Sequence, residues 1–264
     1  MIKIEKTVLP SPEQWEIIIE GMRNPKNSWD RMDSYATHIE DADTLETADY
    51  EFFIGENDHK LMMQLANGGP VHAKYRRMIP VYVTINAPLY WWKEFDTYKV
   101  GTVTNSCSTM HKIHEKPFSV NDISCDELQK GNLIDVDGNI LAPELKAHYK
   151  HMMLILDSLN NLRDLYLKTD DKRYWRCMIE MLPSSYNQKR TVMLNYEVLV
   201  GMYRDRKNHK LDEWHDFCDW IESLPYRELI CGPGYLRKKM NIPTDAEGIY
   251  KEAIEAMTNE KEEK

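Results

Sequence analysis

The sequence lacks the long apolar runs that membrane proteins need. No stretch approaches the roughly 18 consecutive apolar residues that would cross a bilayer. The N-terminal segment, MIKIEKTVLPSPEQW, is interrupted by charged side chains, so it contains no apolar core of a secretory signal. We therefore expect a cytoplasmic protein without a membrane partner.

Paired cysteines and a surplus of positive charge are also absent. The five cysteines are odd in number and form no CxxC pair, which favours reduced thiols over a disulfide framework. The formal net charge of −9 argues against nonspecific nucleic-acid binding, because that binding depends on neutralising phosphates. We expect no nucleic-acid partner, although a local basic pocket for one phosphate is compatible with this charge.

The sequence signatures of common nucleotide-binding proteins, hydrolases and metalloenzymes are missing as well. There is no GxGxxG, no P-loop and no GxSxG. His111 with His114, and His148 with His151, have spacings that bring two imidazoles to one metal ion. Zinc usually takes three or four protein ligands, and no third ligand lies at a diagnostic spacing, so we expect no metal site.

The composition is that of an ordinary soluble globular protein. The 264 residues include 42% hydrophobic and 29% charged residues. Because no internal repeat and no Pro/Gly-rich linker divides the chain, we expect a single domain over residues 1–240. Residues 241–264 end in NEKEEK and are predicted to form a charged helical tail.

Hydrophobic periodicity and capping signals predict a mixed chain whose second half is rich in helices. Ser11-Pro12 with Gln14 forms a capping box for a first helix, which Asn24-Pro25 ends. Asn57 or Asp58 is predicted to cap a second helix. Strands are predicted over 1–8, 50–54 and 75–87, a small hairpin around Asp137-Gly138, and helices over 143–168, 170–181, 188–205 and 211–223.

One stretch, Pro88–His111, concentrates the features of a binding site. An aromatic run from Tyr90 to Tyr98 is followed by hydroxyl and amide side chains. Short polar groups beside a stacking surface suit a flat polar ligand, although a well-packed helix end followed by an ordinary turn explains the same residues. Farther along lies a group of cations, which either stabilise helix C-termini through the helix dipole or bind a phosphate or carboxylate. Its members are Arg173, Arg176, Lys189, Arg190, Arg204 and Arg206.

The spacing of several residues in the C-terminal half resembles a known pattern. Leu182-Pro183 is followed by Asn195, twelve residues after the proline, and by Arg206 eleven residues further on. His209 and Glu213 then form a His-x-x-x-Glu element. The flavin-dependent thymidylate synthases have Leu-Pro, Asn and Arg at these same intervals, and their His lies one residue farther from the Arg.

This resemblance implies roles for individual residues. Asn195 and His209 would hold the flavin, and Arg206 would grip the nucleotide phosphate. The family has a further Arg just before Leu-Pro, where this chain has Ile179. Arg176 lies about one helical turn earlier and could take over its contact with the phosphate.

A second part of the family pattern falls around the Pro88–His111 stretch. Asn105-Ser106-Cys107-Ser108 matches the family's Asn-Glu-x-Ser with Ser106 in place of Glu, and Met110 replaces the Arg that follows. The family's Arg-His-Arg falls at Thr97-Tyr98-Lys99, and Gly69-Pro70-x-His72 resembles its Pro-x-x-His. The resemblance implies that Ser106 and Ser108 bind the nucleotide, and that the flavin is lined by Asn105, His72, Tyr98 and Lys99.

Other residues of the chain are expected to compensate for the missing family cations. Aromatic rings for stacking are Tyr90, Trp91, Trp92 and Tyr98, and spare cations are Lys99, Lys112, Arg76 and Arg77.

The resemblance spans about residues 55–220 and implies a fold, an activity and an assembly. The implied fold class is α/β, a mostly antiparallel sheet flanked by several helices. The family methylates dUMP to dTMP, with methylene-tetrahydrofolate as carbon donor and with NADPH to reduce the FAD. Because the cofactor carries this chemistry, no catalytic side chain is expected. The family is homotetrameric, with active sites shared between subunits.

Two other functions stay open. Ser106 and Met110 stand where the family has a Glu and an Arg that contact the nucleotide. The chain could therefore modify another pyrimidine nucleotide at C5, for instance by hydroxymethylation. It could also be a non-catalytic nucleotide-binding relative that has lost the flavin.

Overall fold

The chain forms a mixed α/β fold, which a computed structural model describes for residues 2–39 and 49–232. The predicted tail over 241–264 lies outside the described residues. The strands are β1 (Lys3–Val8), β2 (Tyr35–Ile39), β3 (Asp49–Phe53), β4 (Pro80–Pro88), β5 (Val103–Ser106) and β6 (Asn187–Asn195). The α-helices are α1 (Pro12–Arg23), α2 (Glu56–Asn67), α3 (Leu89–Phe95), α4 (Asp126–Gln129), α5 (Lys146–Thr169), α6 (Lys172–Met181), α7 (Tyr196–Arg206), α8 (Asp212–Ser223) and α9 (Glu228–Cys231).

Four strands form one antiparallel sheet in the order β1-β4-β6-β5, and β2 pairs with β3 in a separate sheet. Val81, Val83 and Ile85 of β4 are buried on one face, as their alternation predicts. Val192 and Leu194 of β6 lie opposite Val83 and Val81 and complete this buried face. Residues of α1, α2, α3, α7 and α8 pack against it. The expected antiparallel sheet flanked by helices is confirmed.

The predicted helix over 188–205 is wrong, because residues 187–195 form β6 and α7 begins only at Tyr196. Val192 and Leu194 lie two residues apart, which is the spacing of side chains on one face of a strand. Together with Leu199 and Met202 of α7 they imitate a helical repeat. Pairing with β4 on one side and β5 on the other stabilises the strand.

The two N-terminal helices begin in different ways. Ser11 and Gln14 form the predicted capping box of α1: the Gln14 N–H donates to Ser11 Oγ (3.4 Å) and the Ser11 N–H donates to Gln14 Oε1 (2.9 Å). The predicted cap of α2 is wrong. Asp33 accepts the N–H groups of Asn57 (2.8 Å) and Asp58 (3.0 Å), so the cap comes from a distant part of the chain.

The aromatic run in α3 belongs mainly to the core. Trp91, Trp92 and Phe95 are fully buried and pack against α8, with the Trp91 and Trp214 ring centroids 4.8 Å apart. The expectation that Trp91 and Trp92 stack on a ligand is therefore wrong, because their face of the helix meets the core. The flanking rings of Tyr90 and Tyr98 remain partly exposed.

A second, smaller core joins the α5–α6 pair to the segment that follows β5. Leu156 and Leu159 of α5 pack with Met178 of α6, which confirms the two predicted helices. The hairpin predicted at Asp137-Gly138 is present as a turn, held by Asp135 Oδ1, which accepts the N–H of Asp137 (2.9 Å). None of the described helices, including the 24-residue α5, combines the length and apolar character needed to cross a membrane.

Two ion pairs tie the helices together beneath the surface. Asp58 is completely buried. Its carboxylate accepts hydrogen bonds from the Arg23 guanidinium, the Ser34 hydroxyl and the Asp33 N–H. Arg76, also buried, donates to Glu197 of α7 (2.7 Å) and to a carbonyl of α9 (3.0 Å). Arg76, which we expected as a spare cation, is thus already neutralised.

Acid is expected to destabilise the fold through two carboxyl groups. Burial alone would raise the pKa of Asp58, but hydrogen bonds from Ser34, Asp33 and Arg23 outweigh it and lower that pKa. The hydrogen bond to His59 lowers the pKa of Glu228. Because a depressed pKa means that the unfolded chain binds the proton more readily, this stability is present above about pH 4 and is lost below it.

Urea unfolding at pH 7, 5, 4 and 3 checks this expectation. The free energy of unfolding is expected to fall as the pH drops through about 4. Glu228→Gln should show a smaller loss of stability than the wild type over the same interval. An unchanged free energy of unfolding between pH 5 and 3 would contradict the role of both carboxylates.

Candidate functional site

A surface groove of about 430 Å³ lies between the turn that follows α3 and the start of α7. Tyr98 and Lys99 line it from the turn, and Asn195 lines it from the end of β6. Gly201 and Arg204 of α7 form the opposite wall. Three of the residues that the resemblance assigns to the flavin, Tyr98, Lys99 and Asn195, therefore meet at one groove.

The lining of this groove combines apolar surface with charges of both signs, and its two carboxylates, Glu197 and Asp205, are paired with Arg76 and Arg204. Val100, which is 91% exposed, and Val198 supply apolar surface beside the Tyr98 ring. Arg77 and Lys99 are cations of the lining that form no ion pair among the described residues, whereas Arg204 is paired with Asp205 (2.8 Å). Such a lining suits a ligand that joins a flat ring to an anionic group.

Gly101 lets the turn approach α7 closely. Its φ of +80° lies in the left-handed region, and a Cβ built on it would sit 2.9 Å from Val198 Cγ2. Because no side chain has room there, only glycine brings this turn against the first residues of α7.

Gly101→Ala is therefore expected to destabilise the protein more than a positive φ alone would. Gly138→Ala is the matched control, because Gly138 has a φ of +85° and no atom within 4 Å of a built Cβ. The control should cost about 1–2 kcal/mol from backbone strain, and Gly101→Ala about 1–3 kcal/mol more from the contact with Val198. Urea unfolding measures both, and equal losses would contradict the close approach.

Asn195 both caps α7 and faces the groove. Its Oδ1 accepts the N–H of Val198 (3.1 Å), as in an ordinary N-cap. Its Nδ2 lies next to Gly101, 3.3 Å from the position of a built Cβ. The Nδ2 amide, which has no hydrogen-bond partner among the described residues, is the donor that Asn195 can offer to a ligand.

Arg206 and His209 meet next to the groove, around the carboxylate of Glu94. Arg206 donates through Nε to the Tyr98 hydroxyl (3.0 Å) and through Nη1 to Glu94 (3.0 Å). Its guanidinium lies 4.7 Å from the centroid of the Trp214 ring, close enough for a cation–π interaction. His209 Nε2 is 3.4 Å from the same Glu94 oxygen. Tyr98 thus connects this cluster to the groove.

Glu94 and Trp214 contact Arg206 in the candidate site, and the sequence analysis did not single them out. Glu94 Oε2 accepts from Arg206 Nη1 and from Trp214 Nε1 (2.8 Å). Glu94 lies four residues before Tyr98, and Trp214 directly follows Glu213 of the His-x-x-x-Glu element. That adjacency was the available signal, but no sequence pattern indicates that a carboxylate neutralises Arg206.

Glu213 borders a second cavity, of about 470 Å³, which is also lined by Tyr90 of α3. Glu213 is only 8% exposed and accepts a hydrogen bond from the Tyr90 hydroxyl. Burial and this hydrogen bond raise the pKa of Tyr90 well above its usual value. Tyr90 therefore stays protonated and acts as the donor to Glu213.

The polar residues predicted around Asn105 occupy an edge strand rather than a loop. Asn105 and Ser106 belong to β5, opposite Thr191 and Arg190 of β6. Ser108 follows the strand, and its Oγ accepts the N–H of His111 (2.9 Å). All three predicted residues are exposed, and the groove beside Tyr98 is lined by other residues.

Two further predicted residues lie apart from the groove. His72 is exposed in the turn after α2, with its ring against Gly68. Arg176 is exposed on α6, where it pairs with Glu180 of the next turn (2.8 Å). The groove is thus lined by neither of them in the single chain.

Neither histidine pair has companion metal ligands among the described residues. His148 and His151 lie on α5 with ring centroids 6.4 Å apart. Within residues 2–39 and 49–232, no three or more His, Cys, Asp or Glu side chains are grouped so that they could hold a metal ion.

Comparison with known proteins identifies the fold. No protein-family model and no curated protein matches the sequence. A crystal structure of thymidylate synthase X from Helicobacter pylori with FAD and dUMP matches with a TM-score of 0.55 at 15% identity, covering 88% of this chain and 96% of that chain. The chain has the fold of that enzyme. A second structure of the Helicobacter pylori enzyme, complexed with FAD and dUMP, gives a TM-score of 0.52 at 16% identity and covers 88% of this chain and 97% of that chain.

At this level of identity the likeness concerns the fold. The fold implied by the sequence resemblance to the flavin-dependent thymidylate synthases is thereby confirmed. The activity has to be argued from the residues of the site.

Proposed function

We propose that this protein is a flavin-dependent thymidylate synthase that methylates dUMP to dTMP with methylene-tetrahydrofolate and NADPH. One observation carries the proposal: over 88% of its length the chain shares the fold of an enzyme crystallised with FAD and dUMP. Within that fold, Asn195, Tyr98, Arg206 and His209, which the resemblance assigns to the ligands, surround one groove and its adjoining cluster.

The groove fits part of a flavin. Tyr98 and Val198 offer a surface for one face of a ring, and the Asn195 amide can donate to its polar edge. Lys99 can pair with a phosphate of the cofactor. When bound, FAD would supply the hydride chemistry, and this chain would hold and orient it. His209, Asn105 and His72 are proposed as further flavin contacts.

The nucleotide phosphate is assigned to Arg206. Its Nε and Nη1 are engaged by Tyr98 and Glu94, and its Nη2 has no hydrogen-bond partner among the described residues. Glu94 therefore orients the guanidinium before a ligand arrives and leaves one edge available to a phosphate oxygen. Arg176, Ser106 and Ser108 are proposed as additional nucleotide contacts, which they would make from exposed positions.

The absorption spectrum of the purified protein, before and after incubation with FAD, tests the cofactor assignment. We expect a flavin band that stays with the protein on gel filtration. A colourless protein that takes up no FAD would overturn the assignment and favour the non-catalytic alternative.

Product analysis tests the reaction. The FAD-loaded protein is incubated with methylene-tetrahydrofolate and NADPH, and with dUMP and dCMP side by side. We expect dTMP from dUMP and no product from dCMP. A hydroxymethylated product, or turnover of dCMP alone, would overturn the proposed reaction and support C5 modification of another nucleotide.

We also propose that the protein assembles as a homotetramer. The uncovered face of the main sheet carries an apolar row across all four strands: Val8, Tyr82, Met193 and Val103, which lie opposite one another in register. Val8, Tyr82 and Val103 are 45%, 48% and 63% exposed in the single chain, so an assembly would have apolar surface to bury. Light scattering on the purified protein measures the mass, and a monomer would contradict this proposal.

A further inference from the structure

A separate cavity, of about 800 Å³, lies at the end of α1 and the beginning of α2. It is lined by six residues between Arg23 and Arg31 and by the α2 residues Asn57, Lys60, Leu61 and Gln64. None of its lining residues belongs to the groove or to the Arg206 cluster. The proposed function therefore leaves this cavity without a role.

The lining of this cavity is basic although the protein is acidic. Lys26, Arg31 and Lys60 line it, and Asp30 is the only carboxylate of the lining. Among the described residues, none of these three cations forms an ion pair. Against a net charge of −9, this places uncompensated positive charge at one concave site.

The wall of the cavity holds a buried guanidinium in a fixed position. Arg23, only 3% exposed, donates through Nε to Asp58 and through Nη1 to the Ser28 carbonyl (3.2 Å) and hydroxyl (3.3 Å). Its Nη2 has no hydrogen-bond partner within the part of the chain that the structure describes. Because Asp58 and Ser28 already order Arg23, a ligand would meet a preorganised donor.

We propose that this cavity binds a small molecule that carries a chain of phosphates. Its volume falls in the range of small-molecule sites, and its lining is mainly polar, with Leu61 as an apolar member. Arg23, Arg31, Lys26 and Lys60 supply charge-assisted hydrogen bonds to phosphate oxygens, and Asn57 and Gln64 offer amide donors. A single phosphate would engage only some of these cations, so a di- or triphosphate fits the set best.

Calorimetric titration of the full chain with inorganic pyrophosphate tests the proposal. We expect one site per chain, with Lys60→Ala and Arg31→Ala each weakening binding about 10-fold or more. Both side chains lie at the exposed edge of the cavity, so these variants should fold, which their thermal unfolding midpoints would check. Arg23 is not varied here, because its loss would disturb the fold itself.

Two control variants separate this cavity from the proposed nucleotide site. Lys172→Ala removes an exposed lysine of α6, and Arg206→Ala removes the proposed phosphate contact of the groove. Lys172→Ala should bind pyrophosphate as the wild type does, and Arg206→Ala should keep the binding that Lys60→Ala weakens. Absence of binding at millimolar pyrophosphate, or binding that is lost in Arg206→Ala and kept in Lys60→Ala, would overturn the proposal and leave the thymidylate synthase assignment untouched.

A second titration, with ATP and with inorganic tripolyphosphate, distinguishes the sources of the phosphate chain. Tighter binding of ATP would identify a nucleotide as the ligand. Equal binding of the two, weakened alike by Lys60→Ala, would support recognition of the phosphate chain alone. Binding of either compound that Lys60→Ala and Arg31→Ala leave unchanged would contradict the cavity as the site.

Discussion

Replacing Arg206 by alanine is expected to weaken dUMP binding about 30- to 1,000-fold, which corresponds to about 2–4 kcal/mol. The Tyr98 hydroxyl, the Glu94 carboxylate and the Trp214 ring already hold the guanidinium in the free protein. A phosphate would therefore meet an ordered donor, and its binding would carry little cost for immobilising the side chain. Loss of that donor should appear mainly in the affinity for the nucleotide.

Calorimetric titration of FAD-loaded protein with dUMP measures this effect. Arg206→Lys keeps the charge and loses the planar fork, so it should fall between the wild type and the alanine variant. Arg173→Ala, at an exposed arginine of α6, is the matched control and should bind dUMP normally. A change of less than about threefold in a folded Arg206→Ala protein would remove Arg206 from the proposed phosphate site.

Replacing Arg23 by methionine is expected to destabilise the protein by about 3–5 kcal/mol. The substitution keeps most of the apolar stem and removes the charge that Asp58 faces in the interior. Asp58 is 0% exposed, so its carboxylate would remain buried without its cation. The hydrogen bonds from Asp33 and Ser34 would persist, but they do not neutralise the charge.

Urea unfolding at pH 7 measures this loss, and calorimetry should show a fall of about 6–20 °C in the unfolding midpoint. Arg173→Met is the control, because its side chain is 85% exposed and its loss should change the stability by less than about 0.5 kcal/mol. Lowering the pH should narrow the gap between Arg23→Met and the wild type as Asp58 becomes protonated. A loss of under 1 kcal/mol at pH 7 would contradict the importance of the buried pair.

A helix start could be predicted from the sequence where its capping residues are close neighbours along the chain. The start of α1 was predicted correctly because Ser11 and Gln14 cap each other across three positions. The start of α2 was not, because its cap, Asp33, lies 24 residues before Asn57. No pattern within the helix points to a capping group that folding brings from elsewhere.

The two largest errors of the sequence-based prediction, at β6 and at α3, have a common physical cause. In β6, Val192 and Leu194 fit a strand and, with the residues of α7, also a helix, and only pairing with β4 decides between them. In α3, the aromatic residues fit a ligand wall and a core equally well. Contact with Trp214 and Phe217 of α8 buries Trp91, and the sequence of α3 does not show which face that helix covers.

The sequence by itself determined the identity and the spacing of residues that the fold brings together at the candidate site. The intervals among Leu182-Pro183, Asn195 and Arg206 are set along the chain, and in the fold Asn195 faces the groove while Arg206 adjoins it. Only the tertiary structure decided that Arg206 is paired with Glu94, 112 residues away, and that Trp91 faces the core. The physical reason is that caps and turns form between neighbours, whereas charge pairing and burial depend on which distant side chains the packed helices bring together.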